Sequence, residues 1–209
     1  MININPHSKI AFIGYSGHAF VCIETAQAMN LDILGYHEFV EASNNPYNLS
    51  FLDIEEKFEQ HDALLFGSIG DNTIREKVYN KLIAVKENIF TTLQHPTAIV
   101  SKTATIGVNT LISAGAIVNP LTEIGIGCII NTGAIIEHEC KVKDFAHIAP
   151  GAVLAGNVTV GERSFVGAGA VVRQGVTIGK DVIVGAGAVV VKDIPDGQTV
   201  VGNPAKLLV

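Results

Sequence analysis

Between Val100 and Pro195 the sequence repeats every six residues without one insertion, giving sixteen consecutive units. Every sixth residue from Val100 is aliphatic: Val100, Ile106, Ile112, Val118, Ile124, Ile130, Ile136, Val142, Ile148, Leu154, Val160, Val166, Val172, Ile178, Val184 and Val190. The residue four further on is small or aliphatic, as in Ala104, Ala116, Cys128, Ala134, Ala152 and Ala188. Such a period specifies a parallel β-helix in which each unit forms one flat face and three units close a triangular coil of about 18 residues. The aliphatic position points inward and stacks on its equivalents above and below. Glycines at the next position (Gly107, Gly125, Gly161, Gly167, Gly179 and Gly185) are expected where the backbone turns between faces and a side chain would be strained. A solenoid whose repeat only folds accounts for all of this, so function has to come from residues that break the pattern.

The remaining composition narrows the classes. The 209 residues allow one large or two small domains. No apolar run of about 18 residues occurs, and Met1-Ile-Asn-Ile-Asn-Pro6 lacks the basic-then-apolar form of a signal peptide, so a cytoplasmic chain is expected. Three cysteines fit a reducing compartment. Cys128 and Cys140 fall at inward positions and Cys22 on a helix, with no metal-ligand spacing among them. Residues 1–97 hold 6 Lys and Arg against 12 Asp and Glu, whereas residues 98–209 hold 8 of each, so the net charge of −6 sits in the first part. That balance argues against a nucleic-acid binder, which presents a basic face. A small anionic ligand would be held locally, by backbone N–H groups.

Residues 1–97 follow another rule, with short apolar strands alternating with helical segments. Strands are expected at Lys9–Gly14, Asp32–Tyr36, Ala63–Gly67 and Ile89–Leu93, and helices at Ala19–Asn30 and Thr73–Val85. This alternation predicts a small parallel α/β sheet, the size of half a Rossmann fold, with His95-Pro96 as the hinge into the prism. Ligands bind such sheets at the carboxyl ends of the strands. There lie Gly14-Tyr-Ser-Gly17, a phosphate cradle or a simple tight turn, and Gly70-Asp71-Asn72, placed to reach a base or ribose.

Two histidines occur in the repeats, His138 and His147. In Ile136-Glu-His-Glu-Cys140 two carboxylates flank the imidazole at a turn between faces. That arrangement suits a general base whose tautomer a carboxylate fixes, or a solvated corner histidine. Asn131 falls on the preceding face, where it is expected to interrupt the aliphatic wall. With two histidines in the repeats, a zinc site of three His ligands is not expected.

Four stretches together resemble the bacterial hexapeptide-repeat sugar acetyltransferases of the NeuD/PglD type: Gly14-Tyr-Ser-Gly-His18, Gly127-Cys-Ile-Ile-Asn131, Ile136 to Gly151, and Gly202-Asn-Pro-Ala-Lys206. The resemblance implies a left-handed β-helix, a homotrimer, and acetyl-CoA lying in the groove between adjacent prisms. The fold class expected is an α/β nucleotide-sugar-binding domain over residues 1–97, followed by an all-β left-handed parallel β-helix over residues 98–209. By motif, the resemblance makes His138 the catalytic base and Glu139 its orienting partner. Gly14, Ser16, Gly17, His18, His37, Gly70, Asp71, Asn72 and Asn131 would hold the acceptor. His147, Gly156, Phe165, Gly167, Ala168 and Ala186 would hold acetyl-CoA, the co-substrate, with no metal, nucleic acid or membrane partner.

The acceptor implied is a nucleotide-linked 4-amino-dideoxy sugar, with UDP first. Gly35-Tyr-His-Glu38 stands where the UDP-sugar branch carries an acidic pair, so GDP- and dTDP-linked sugars stay open. O-acetylation of sialic acid is the alternative activity that the same architecture serves.

Overall fold

The computed structural model describes residues 6–53, 63–84 and 89–208. Its N-terminal part is a four-stranded parallel sheet in the order β3-β2-β1-β4, with β1 at Lys9–Ile13, β2 at Asp32–His37, β3 at Phe51–Asp53 and β4 at Leu64–Gly67. Ile10 to Ile13 are buried in the middle of this sheet, which is why β1 reads as a continuous apolar run. Helix α1 spans Gly17–Ala28 and α2 spans Asn72–Ile83. Asp71 caps α2, its Oδ1 accepting from the Ile74 N–H at 2.8 Å.

The membership of the sheet differs from expectation at both edges. The strand expected at Ile89–Leu93 contributes a single bridge, Leu65 with Phe90, because Leu93–Gln94 has already turned away to pair with Leu111–Ile112 of the prism. The opposite edge, beside β2, is formed by β3, a strand not expected from the sequence. Its three residues are too few to show a period.

From Leu93 onward the chain winds as the hexapeptide pattern demands. Two-residue strands recur at six-residue intervals from Ile99–Val100 to Val189–Val190. They stack into three parallel sheets, one per face of a left-handed prism, each strand pairing with those one coil above and below, as Ile135 does with Ile117 and Val153. The prism begins one unit before the expected boundary at residue 97, and a closing strand, Thr199–Val201, tops it. Almost every inward aliphatic residue between Ile112 and Val190 is buried, together with the small residue of each unit. Cys22, Cys128 and Cys140 are free and buried, and burial pushes the Cys128 thiol up to about 12.

The glycine expectation needs correction. The left-handed backbone recurs every six residues, but two positions beyond the expected glycines, at Gly115, Leu121, Gly127, Gly133, Glu139, Phe145, Gly151, Asn157 and Arg163. The expected glycines are instead required by close approach of the coils. A Cβ on Gly107 would lie 2.5 Å from the Gly125 carbonyl carbon, and one on Gly167 would lie 2.6 Å from the Ala186 nitrogen. Both contacts are shorter than atoms tolerate.

The α/β part docks on one face of the prism. On that face Leu93, Leu111 and Ile129 point outward, yet they are buried against Phe12, Ala19 and Ile23. The polar contacts of this junction climb one edge of the prism, coil by coil. Asn109 Oδ1 accepts from the Gly67 N–H at 2.7 Å, Arg75 bonds the Gly127 and Phe145 carbonyls, and Asn72 Nδ2 donates to the Arg163 carbonyl at 2.8 Å. Arg163 in turn holds Glu76 of α2 and Asp181. Among the described residues no helix is long and apolar enough to cross a membrane.

Candidate active site

His138 lies in the turn that follows Ile135–Ile136, at the corner between two faces. Its Nδ1 is 3.0 Å from Glu139 Oε2, and both side chains are about half exposed, at 51% and 58%. With Nδ1–H donating to the carboxylate, Nε2 is the ring nitrogen that carries the lone pair, the state a proton acceptor requires. Behind the ring stands Gly156, one coil above. A Cβ there would lie 2.5 Å from His138 Cε1 and 2.6 Å from Nε2. The ring therefore occupies the space that glycine leaves open.

A second cluster lies across the intervening face, at the edge nearest the α/β part. Asn131 Nδ2 is 3.1 Å from His147 Nε2, and His147 packs edge-on against Phe165 with ring centroids 4.9 Å apart. The His18 ring approaches His147 at 6.4 Å. Burial, reinforced by the nearby Arg75 charge, lowers His18 to about 4 and His147 to about 3, so both are neutral at physiological pH. Asn131 does not interrupt the aliphatic wall as expected: Ile130 keeps the inward place, and Asn131 turns out to meet His147.

Two cavities meet at Gly70 and Asp71. One, of about 480 Å³, is lined by Asn72, His147, Arg163, Phe165 and Ile183 among others. The other, of about 370 Å³, is lined by Gly14, Ser16, His18, Glu38, Phe39, Ile74 and Val78. The second lies at the carboxyl ends of β1 and β4, where the sheet geometry places a ligand.

Several expected acceptor residues stand elsewhere or are engaged. His37 is fully buried, and the same strand end presents Glu38 and Phe39 to the cavity instead. Sequence alternation past β2 offered that signal, since successive side chains of a strand point to opposite faces. Glu38 also accepts from the Tyr15 N–H at 3.2 Å, so that donor of the glycine turn is taken. Tyr15 itself stacks on Tyr36 at 4.1 Å, within the core. Gly17 opens α1 with free space around its Cα, while Gly14 adopts a left-handed φ of 93°. Asn72 lines the first cavity, but its amide is held by Arg75 and the Arg163 carbonyl.

Above Asn131, the same corner of successive coils carries Ala149, then Gly167-Ala-Gly-Ala170, then Gly185-Ala-Gly-Ala188. Ala168 and Ala186 are exposed there, so the edge is a smooth strip without projecting side chains. Among the described residues no cluster of His, Cys, Asp and Glu has the geometry of a metal site.

A two-domain hexapeptide-repeat transferase is the class that this fold and these clusters define. The PglD N-terminal domain family matches residues 9–82, and the bacterial transferase hexapeptide family, as six repeats, matches residues 157–192. No curated protein matches the sequence. Among solved structures, the acetyltransferase domain of PglB from Neisseria gonorrhoeae in complex with acetyl coenzyme A is 36% identical, with 97% of this chain and 100% of that one covered and a TM-score of 0.91. PerB from Caulobacter crescentus, in complex with CoA and GDP-perosamine, is 38% identical over 96% of this chain and 97% of that one, with a TM-score of 0.88. The chain belongs to the PglD/NeuD-type sugar N-acetyltransferases.

Proposed function

We propose that this protein transfers the acetyl group of acetyl-CoA to the amine of a nucleotide-linked 4-amino-dideoxy sugar, with His138 as general base. The observation that carries the mechanism is the His138 Nδ1 to Glu139 Oε2 contact of 3.0 Å, which with Nδ1–H donating leaves Nε2 as the proton acceptor. The amine nitrogen attacks the thioester carbonyl carbon while Nε2 takes its proton. The C–S bond then breaks and the CoA thiolate leaves, to be protonated by the imidazolium or by water. Glu139 holds the ring in the required tautomer and stabilises the imidazolium that forms. The Gly156 N–H is the candidate donor to the oxygen that becomes negative in the tetrahedral intermediate. No covalent enzyme intermediate is needed, because a deprotonated amine is already a competent nucleophile.

The two cavities support the assignment of substrates. The nucleotide fits the one at the strand ends, where Gly14, Ser16 and His18 meet Glu38, and the sugar passes Gly70 and Asp71 toward His147. Acetyl-CoA suits the strip at Gly167, Ala168 and Ala186, whose lack of side chains lets an extended pantetheine lie flat. PerB was solved with GDP-perosamine, so a GDP-linked sugar joins the UDP-linked one as a first acceptor to test.

One face of the prism supports the reading of a homotrimer with shared sites. Its outward residues are Ile99, Ile117, Ile135, Val153, Val171 and Val189, all aliphatic, whereas another face presents Thr105, Glu123, Lys141, Thr159 and Thr177. Ile99 and Val171 are exposed. An uninterrupted aliphatic face of this kind is an association surface. His138 and Glu139 line one edge of it, and Asn131 with His147 the other. Packing this face on its copies brings the base of one chain toward the acceptor and donor sites of the next.

The test is release of free CoA from acetyl-CoA against UDP-, GDP- and dTDP-linked amino sugars and sialic acid, with His138→Ala as control. Turnover with one nucleotide sugar, lost in the variant, supports the proposal and identifies the base. Turnover with sialic acid alone replaces it with O-acetylation.

A further inference from the structure

Arg75 is 1% exposed, on the face of α2 turned toward the prism. All five of its N–H groups are used, and none by a carboxylate. Nε donates to the Gly127 carbonyl at 2.6 Å. One terminal nitrogen donates to the Ile69 and Gly70 carbonyls at 2.9 and 3.1 Å, the other to Asn72 Oδ1 at 2.8 Å and the Phe145 carbonyl at 2.9 Å. A buried guanidinium without a counter-ion is costly, and it is tolerated here because five oxygens surround it. The docking of the two parts does not depend on it alone, since Gly67 with Asn109 and Glu76 with Arg163 join them independently. What Arg75 adds is a grip on the Ile69 and Gly70 carbonyls, in the loop that walls both cavities.

We propose that Arg75 is a positioning residue for acetyl transfer: by holding the Ile69–Asn72 loop and the Gly127 and Phe145 corners at once, it fixes the acceptor cavity on the prism that carries the donor strip. The inference rests on the acceptor assignment above. A planar fork with five donors is required, and an ammonium with three donors cannot span the same oxygens. The charge has a second effect, as it helps to keep His18 and His147, on either side of this loop, unprotonated.

The experiment compares full-length Arg75→Ala, Arg75→Lys and Glu76→Gln with the unaltered protein, varying acceptor and acetyl-CoA separately, with and without low millimolar guanidinium. For both Arg75 variants kcat/KM toward the acceptor is expected to fall by roughly 10- to 100-fold, the effect of a small misplacement of reacting groups. KM for acetyl-CoA should stay unchanged, guanidinium should restore part of the activity of Arg75→Ala, and Glu76→Gln should keep its acceptor KM. An unimpaired Arg75→Lys overturns the inference. So does a parallel loss of affinity for both substrates that tracks loss of folded protein and does not respond to guanidinium. Absence of turnover by the unaltered protein with every amino-sugar nucleotide overturns the acceptor assignment first, and this inference with it.

Discussion

The imidazole of His138 rests against Gly156, the residue one full coil above it, at a distance that leaves no room for a methyl group. The neighbour of a proposed base is thus set by the winding of the prism. Replacing Gly156 by Ala puts the new Cβ against a movable ring, not against backbone, so the fold tolerates it while the ring is displaced. We expect kcat to drop by roughly 100-fold with the melting temperature almost unchanged. Steady-state kinetics beside a thermal melt checks this, and a variant of full activity would remove His138 from its role.

Removing the base itself should cost more than removing its partner. His138→Ala is expected to lower kcat by roughly 10² to 10⁴ while acetyl-CoA binding, measured by calorimetry, persists. Glu139→Gln keeps a neutral acceptor beside Nδ1 and should lose less. Equal losses in the two variants would mean that the carboxylate does more than orient the ring.

The depressed pKa values of His18 and His147 make stability depend on pH in a defined direction. Above the ordinary histidine value of about 6.5 both states are neutral and contribute no slope. Between that value and about 4 the unfolded chain takes up protons that the folded one refuses, so stability falls as the pH falls through this window. Urea unfolding from pH 7 to 4 should show this decline, and His147→Gln should show a shallower one.

The aliphatic face predicts the assembly. Ile117→Asp places a carboxylate in the middle of the column Ile99, Ile117 and Ile135. It is expected to give monomers by sedimentation velocity, with acetyl transfer lost although the prism stays folded by circular dichroism. A variant that remains trimeric would show that another surface assembles the protein.

Close approach at the corners predicts stability effects of one sign. Gly161→Ala puts a Cβ against the Gly179 backbone of the next coil, which cannot move without moving the ladder. A loss of about 1–3 kcal/mol is expected, read from denaturant midpoints. Gly133→Ala meets nothing within 4 Å, but holds a φ of 65°, so its cost comes from backbone strain alone and should be smaller.

How much of this was legible in the sequence differs between the two parts. The prism was readable almost residue by residue, because a strict period repeats the same local environment, and Ile112 to Val190 are buried as the pattern requires. His138 and Glu139 stood out for the same reason, as polar residues at a corner that in the next coil carries Ala155, Gly156 and Asn157. In the α/β part, β1, β4 and both helices were legible from apolar runs and turns. The short β3 was not, and the strand expected at Ile89–Leu93 was lost to the prism.

Arg75 shows most clearly what sequence could not supply. On a polar helix, an arginine among Glu76, Lys77 and Lys81 reads as part of a solvated face. Only the tertiary structure buries it, because the oxygens that receive it come from Ile69 and Gly70 on one side and from Gly127 and Phe145 on the other. His37 and Glu38 likewise exchange roles according to which way β2 faces at its end. The sequence by itself determined the coil, its inward residues and the corner that holds His138 and Glu139, since each depends on contacts repeated at a fixed separation along the chain. The tertiary structure decided how the sheet docks, which side chains reach the cavities and where the histidines lose their charge. These depend on contacts between distant segments, and no local period encodes them.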